Sequence, residues 1–133
     1  TAVCDQGQYG VGPWGSVRGW PDPGAHWIWD VCSPAPYSDA YVQTSFTLPA
    51  PETLTVYATA DDAFWLYVDG VQVLSGSSWS TTYQVSVSLS AGTHTLKVKG
   101  RNGPGPAGIL VSVKRQDGTV VTHSDATWYI SSP

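Results

Sequence analysis

From residue 26 onward, apolar and polar residues alternate with a period of two. That spacing belongs to strands that turn one face to a core. In TLTVYATA (53–60), Leu54, Val56, Ala58 and Ala60 share one face, and Thr53, Thr55, Tyr57 and Thr59 share the other. AFWLYVD (63–69) sets Phe64, Leu66 and Val68 inward and turns Trp65 the opposite way. TYQVSVSL (82–89) directs Val85, Val87 and Leu89 inward, and THTLKVKG (93–100) does so with Leu96 and Val98. AGILVSVKRQ (107–116) offers Ile109, Val111 and Val113. HWIWD (26–30), YVQTSFTL (41–48), VQVL (71–74), TVVTH (119–123) and TWYI (127–130) read as further strands. Asp69-Gly70 and Asp117-Gly118 have the composition of tight turns. About nine short strands with regular turn signals and no helical period predict an all-β fold, an antiparallel β-sandwich with jelly-roll or Greek-key connections.

The first 25 residues show neither period. They are rich in Gly, Pro and Trp (GQYGVGPWGSVRGWPDPG) and are expected to be ordered but irregular. Residues 26–130 carry no linker, so 1–133 reads as a single domain: an irregular N-terminal segment and a sandwich.

Composition narrows the function classes. Hydrophobic residues make up 41% of the 133 and charged residues 12%, which argues for a packed core and against disorder. The net charge is −4 and the six Lys and Arg are scattered along the sequence, a poor fit to a nucleic-acid partner. No apolar run reaches the length of a membrane span. The chain has no Met, so it reads as a processed mature form or a module cut from something longer. Cys4 and Cys32 fit no zinc or redox spacing and are expected to form one disulfide, which implies an oxidising, secreted setting. Seven Trp and seven Tyr exceed what so small a core hides easily, and a surplus at the surface suits the flat apolar faces of sugar rings.

Two features carry candidate chemistry. Asp61 and Asp62 stand together between two strands, where adjacent carboxylates repel unless something positive lies between them. The loop RNGPGPAG (101–108) holds the chain's one asparagine, Asn102. Its prolines remove backbone donors and leave carbonyls free, as at Pro106. Carboxylates, a side-chain amide and backbone carbonyls are the ligands calcium takes. Taken alone the signal is weak, since either aspartate also suits a turn cap.

The order HWIWD, YVQTSFTLP, TLTVYATADDAFWLYVDGVQV, AGTHTLKVKGRNGPGPAGILVSV and HSDATWYI resembles a galactose-binding-domain-like β-sandwich. More narrowly, it is similar to the carbohydrate-binding modules found with bacterial α-L-rhamnosidases. The likeness spans about residues 26–130 and is most specific at ADDAFWLYVDG and NGPGPAG. It implies a module that binds a sugar through a calcium ion held by Asp61, Asp62, Asn102 and the carbonyl of Pro106, with the sugar's hydroxyls completing the shell. Asp69 stands where the family usually has Asn, and Gly-Pro replaces a Gly-Gly pair in the loop, which leaves the sugar's identity open.

Around that core, Trp79, in the polar loop SGSSWSTTY, is a candidate stacking platform, and Arg101 a candidate hydroxyl donor. Trp14 and Trp20 are placed to fold over the site, while Trp27, Trp29 and Trp128 belong to strands and to the core. Tyr37 and Asp39 border the region with low weight. His26, His94 and His123 show no metal spacing and read as strand-surface residues. An enzyme is disfavoured: glycoside hydrolysis needs two opposed carboxyls, whereas Asp61 and Asp62 are neighbours. The favoured expectation is a non-catalytic, calcium-dependent sugar-binding module or small lectin, of weak monovalent affinity and with oligomers possible. The alternative is a structural or adhesive extracellular domain whose calcium only stabilises loops.

Overall fold

The computed structural model describes residues 1–10 and 12–133; Val11, within the N-terminal segment, lies outside the described residues. Its strands are β1 (Cys4–Gln8), β2 (His26–Trp29), β3 (Asp39–Leu48), β4 (Glu52–Asp61), β5 (Ala63–Val68), β6 (Val71–Gly76), β7 (Tyr83–Leu89), β8 (Gly92–Arg101), β9 (Gly108–Arg115), β10 (Val120–His123) and β11 (Tyr129–Ile130). They form two antiparallel sheets. One runs β1-β2-β9-β4-β7, with β10 also on β9; the other runs β11-β3-β8-β5-β6. The all-β antiparallel sandwich read from the alternation is what the chain forms.

The inward faces match the period-two reading. Leu54, Val56, Ala58 and Ala60, then Phe64, Leu66 and Val68, then Leu96 and Val98, and Ile109, Val111 and Val113 all belong to one core cluster with Trp29 and Trp128. Val85, Val87 and Leu89 pack on it from the edge strand β7. Asp69 and Gly70 form the β5–β6 turn with φ of 51° and 83°, the left-handed backbone that such a hairpin requires.

The N-terminal segment departs from expectation at its start. Residues 4–8 pair with β2 as an edge strand, with a register shift between Asp5 and Gly7. No alternation signals this strand, because its order comes from its partner and from the Cys4–Cys32 disulfide, which is formed. Residues 14–25 fold across the outer face of β9. Trp14, Val17, Ala25, Trp27 and Leu110 make a second core there, and Trp14 stacks on Trp27 with ring centroids 4.3 Å apart. Asp22 anchors this layer, accepting from Ser112 Oγ at 2.7 Å and lying 2.8 Å from His123 Nδ1. Six consecutive residues of β9, Gly108 to Val113, are therefore buried, where a strand covered on one side alternates.

His94 is a second departure. It faces inward, buried, with Nδ1 2.6 Å from Asp69 Oδ2 and Nε2 2.8 Å from the Ser90 carbonyl oxygen. Two acceptors let a polar ring occupy a core-facing position, so it is not a surface residue. His26 and His123 are half-buried on Asp5 and Asp22.

Candidate functional site

Sheet pairing collects four connections at one end of the sandwich. Asp61 pairs with Gly108, Ala63 with Arg101, Tyr83 with Ala58 and Asp39 with Arg101. The turn 61–62, the β6–β7 loop, the β8–β9 loop and the β2–β3 loop thus share a tip. The β8–β9 and β2–β3 loops are laced together by their backbones. Asn102 N–H donates to the Ser38 carbonyl at 2.8 Å, and Tyr37 N–H to the Gly103 carbonyl at 3.1 Å.

The acidic turn and the asparagine meet there. Gly103 N–H donates to Asp62 Oδ2 at 2.5 Å, and Asp62 N–H donates to the Arg101 carbonyl at 2.9 Å. The peptide bond between Asp61 and Asp62 is cis. Asp61 is buried, and its Oδ2 accepts the Trp14 indole N–H at 2.9 Å. Its pKa is pushed up to about 6, first by burial and then by the neighbouring Asp62, against the pull of the Trp14 donor. Two carboxylates so placed keep their charge cheaply only beside a cation.

Asn102 is the informative residue. It is almost fully buried, and its amide nitrogen donates to the carbonyls of Ala35 (3.0 Å) and Gly105 (3.2 Å). Those two bonds fix which way the amide faces. Its oxygen, Oδ1, is buried with no partner. A buried acceptor without a donor costs about 1–3 kcal/mol, so such an atom calls for an explanation. A hard cation beside the acidic turn would supply one. Among the described residues no three His, Cys, Asp or Glu side chains are arranged to hold a metal ion by themselves. The oxygen set on offer is thus two carboxylates, one amide and backbone carbonyls, which suits calcium and not zinc.

Beside the turn lies a hollow of about 360 Å³. Trp14, Pro106, Ala107 and the disulfide line it. Gln6 donates to the Ala107 carbonyl at 2.8 Å from the same wall, and its Oε1 is likewise buried without a partner. Sequence reasoning passed over Gln6, because nothing in a Gly- and Gln-rich stretch marks a residue that will sit against a loop a hundred positions away.

The remaining candidates are dispersed. Pro106 is exposed on the hollow's rim. Arg101 lies at the tip but turns to the outer face of β8, where Nε and Nη2 reach Asp39 at 3.1 and 3.4 Å. Trp79 is exposed on the β6–β7 loop, which is tied to Arg18 and Thr59 and not to the acidic turn. Trp14 is no open platform: it is buried and holds Asp61. Trp20 is half-buried and donates to the Asp22 carbonyl. Tyr37 is exposed at the rim with φ of 54°.

No protein-family model matches the chain. Among solved structures, a Pleurotus ostreatus lectin superposes with a TM-score of 0.73 at 29% identity, over 96% of this chain and 41% of the lectin. The same lectin in complex with GalNAc gives 0.71 at 30% identity, over 92% of this chain and 40% of the lectin. A Streptomyces avermitilis α-L-rhamnosidase gives 0.71 at 25% identity, over 83% of this chain but only 12% of the rhamnosidase. In sequence, 70 residues, 52% of the chain, are 37% identical to an α-agarase of Thalassotalea agarivorans. They amount to 5% of that protein. The chain thus spans about two-fifths of the lectin and a small part of either enzyme. Its two antiparallel sheets and these superpositions agree: in fold the chain resembles the galactose-binding-domain-like β-sandwiches found in this lectin and within rhamnosidases.

Proposed function

We propose that this domain is a secreted, non-catalytic carbohydrate-binding module that takes its sugar through a calcium ion at the sandwich tip. The observation that carries the reading is the buried, partnerless Oδ1 of Asn102 beside the paired carboxyls of Asp61 and Asp62. Asp61, Asp62, Asn102 and the Pro106 carbonyl would hold the ion. Bound there, calcium supplies positive charge and open coordination positions that vicinal hydroxyls fill.

The chain's own residues do the rest. Trp14 fixes Asp61, and Gly103 N–H orients Asp62. The Asn102 amide nitrogen clamps the β2–β3 loop to the β8–β9 loop, so the rim of the hollow is set before a ligand arrives. The two acids are neighbours in one turn, whereas glycoside hydrolysis takes two carboxyls that flank a bond, so the pair suits binding. The disulfide supports an oxidising, extracellular setting.

The similar lectin was solved with GalNAc, which makes galactose-type sugars the first to try. The test is calorimetric titration with GalNAc, galactose and rhamnose, followed by a glycan array, in calcium and in EDTA. Expected is a monosaccharide Kd in the range of roughly micromolar to millimolar. EDTA, Asp62→Ala or Asn102→Ala should abolish it. A calcium-dependent rise in Tm with silence across the array would favour the structural or adhesive reading. No calcium effect on either would end the proposal.

A further inference from the structure

The outer face of the five-stranded sheet carries a row of basic and aromatic residues. Lys97, Lys99 and Arg101, half of the six basic residues of the chain, occupy alternate positions on β8 and so point to one side. Within five residues of one strand, they form a row roughly 13 Å long in space. Aromatic rings flank it from both neighbouring strands. Lys99 pairs in register with Tyr41 of β3 and Trp65 of β5, and Lys97 pairs with Tyr67 of β5. Lys99 Nζ lies 5.7 Å from the Tyr41 ring centroid and 5.3 Å from that of Trp65; the Arg101 guanidinium is 5.1 Å from Trp65.

Among the described residues, only the C-terminal Pro133 reaches over this face, at the rim of its hollow. The N-terminal layer roofs the opposite sheet, while Tyr41, Trp65 and Tyr67 stay half-buried on the open side. A hollow of about 430 Å³ opens between Tyr41, Tyr67, Thr95 and the two lysines. That is within the range of small-molecule sites, roughly 300–1,000 Å³. The one carboxylate paired with the row among the described residues is Asp39, 3.1 Å from Arg101 and 3.9 Å from Lys99. Lys97 has none. A positive excess therefore sits on a chain whose net charge is −4. Flat rings alternating with cations suit a ligand that is both flat and apolar on its faces and anionic at its edges.

We propose that this face binds an extended acidic oligosaccharide, one whose sugar rings stack on Tyr41, Tyr67 and Trp65 while carboxylate or sulfate groups meet Lys97 and Lys99. The site is separate from the tip, needs no metal and stands whether or not the acidic turn holds calcium.

The test is calorimetry in EDTA with hexagalacturonate, a sulfated carrageenan oligomer and neutral maltohexaose, with single-stranded oligothymidine as a polyanion without stacked sugars. Expected is binding of at least one acidic oligosaccharide about tenfold or more tighter than of maltohexaose, weakening with salt. The uronate and sulfate arms distinguish which anion is read. Lys97→Gln with Lys99→Gln should lower affinity about tenfold, and Trp65→Leu several-fold with both lysines retained. Asp62→Ala should leave it unchanged. Circular dichroism and Tm check that each variant folds. Equal binding of oligothymidine, indifference to the lysine pair, or no binding of either acidic sugar would overturn the proposal.

Discussion

Trp14 donates its indole N–H to Asp61 Oδ2 at 2.9 Å across forty-seven positions of sequence. The ring also stacks on Trp27, so the segment before the sandwich helps build the floor of the tip. A buried carboxylate that is to hold a cation, as proposed for Asp61, must be held still, and a neutral donor on a packed ring would do this without filling the site with charge. Trp14→Phe keeps most of the stacking and removes the donor. It is expected to destabilise the fold by about 1–2 kcal/mol, a fall in Tm of several degrees. It should also weaken calcium binding, read by calorimetry, more than its effect on Tm implies.

Gly103 is the place to move Asp62 without touching it. A Cβ there would stand 2.6 Å from Asp62 Oδ2, the atom that accepts the Gly103 N–H. The neighbour is the end of a side chain that can swing away. Gly103→Ala should therefore cost little in Tm and displace the carboxylate. The expected result is a loss of calcium-dependent sugar binding about as large as that of Asp62→Ala, in a protein that melts within a few degrees of wild type. Unaltered sugar binding would show that Asp62 is not a ligand.

The His94–Asp69 pair sets a pH window for stability. The Asp69 carboxylate, then the Ser90 carbonyl, hold the His94 pKa above its ordinary value against the effect of burial. Burial pushes Asp69 up, but hydrogen bonds from His94 and from Thr95 N–H outweigh it and leave the carboxyl below its ordinary value. A histidine raised on folding contributes fully in mild acid and loses that contribution as pH rises through its folded value. An aspartate lowered on folding contributes above its ordinary range and loses it as pH falls through the depressed value. The pair thus stabilises between these limits. Urea unfolding should show His94→Gln well below wild type near pH 5–6, with the gap narrowing by pH 9. A gap independent of pH would mean that the ring acts by packing alone.

The disulfide closes a loop from Cys4 to Cys32, next to the segment that meets Asn102. Cys4→Ser with Cys32→Ser should cost roughly 3 kcal/mol. Hydrogen exchange should quicken first in β1 and in residues 30–38, because those are the backbones the bond restrains. Sugar affinity should fall with it, since Ala35 and Ser38 accept from Asn102.

The sandwich was legible in sequence because its strands repeat one simple signal. Leu54, Val56 and Ala58 alternate with threonines and tyrosine, and water on one side of the sheet is enough to write that pattern. The turn Asp61-Asp62 and the loop of Asn102 could be singled out as letters, and the structure brings them together through Gly103 N–H and Asp62; their chemistry was not legible, because either aspartate also suits a turn cap. The N-terminal layer was not legible. Trp14, Val17 and Asp22 are placed by what they touch, namely Trp27, Leu110, Ser112 and His123, and no local period records a contact a hundred residues away. His94 was misread for the same reason, because its partner Asp69 lies 25 positions earlier, with β6 and β7 between them in the chain. The basic row on β8 was visible as letters. As a surface it emerged only when Tyr41 and Trp65 came alongside.

The two broad flanks of this molecule are not equivalent. Trp14, Val17 and Ala25 seal the outside of β9 as firmly as the inside, so any polar mutation there lands in a second interior. Attempts to retarget the protein by redesigning surface residues therefore have one flank to work with, the one bearing Tyr41 and Trp65. Fluorescent labels, immobilisation points or fusion partners belong away from that flank and from the tip, for instance on the exposed positions of β7, Gln84, Ser86 and Ser88, where they would obstruct neither.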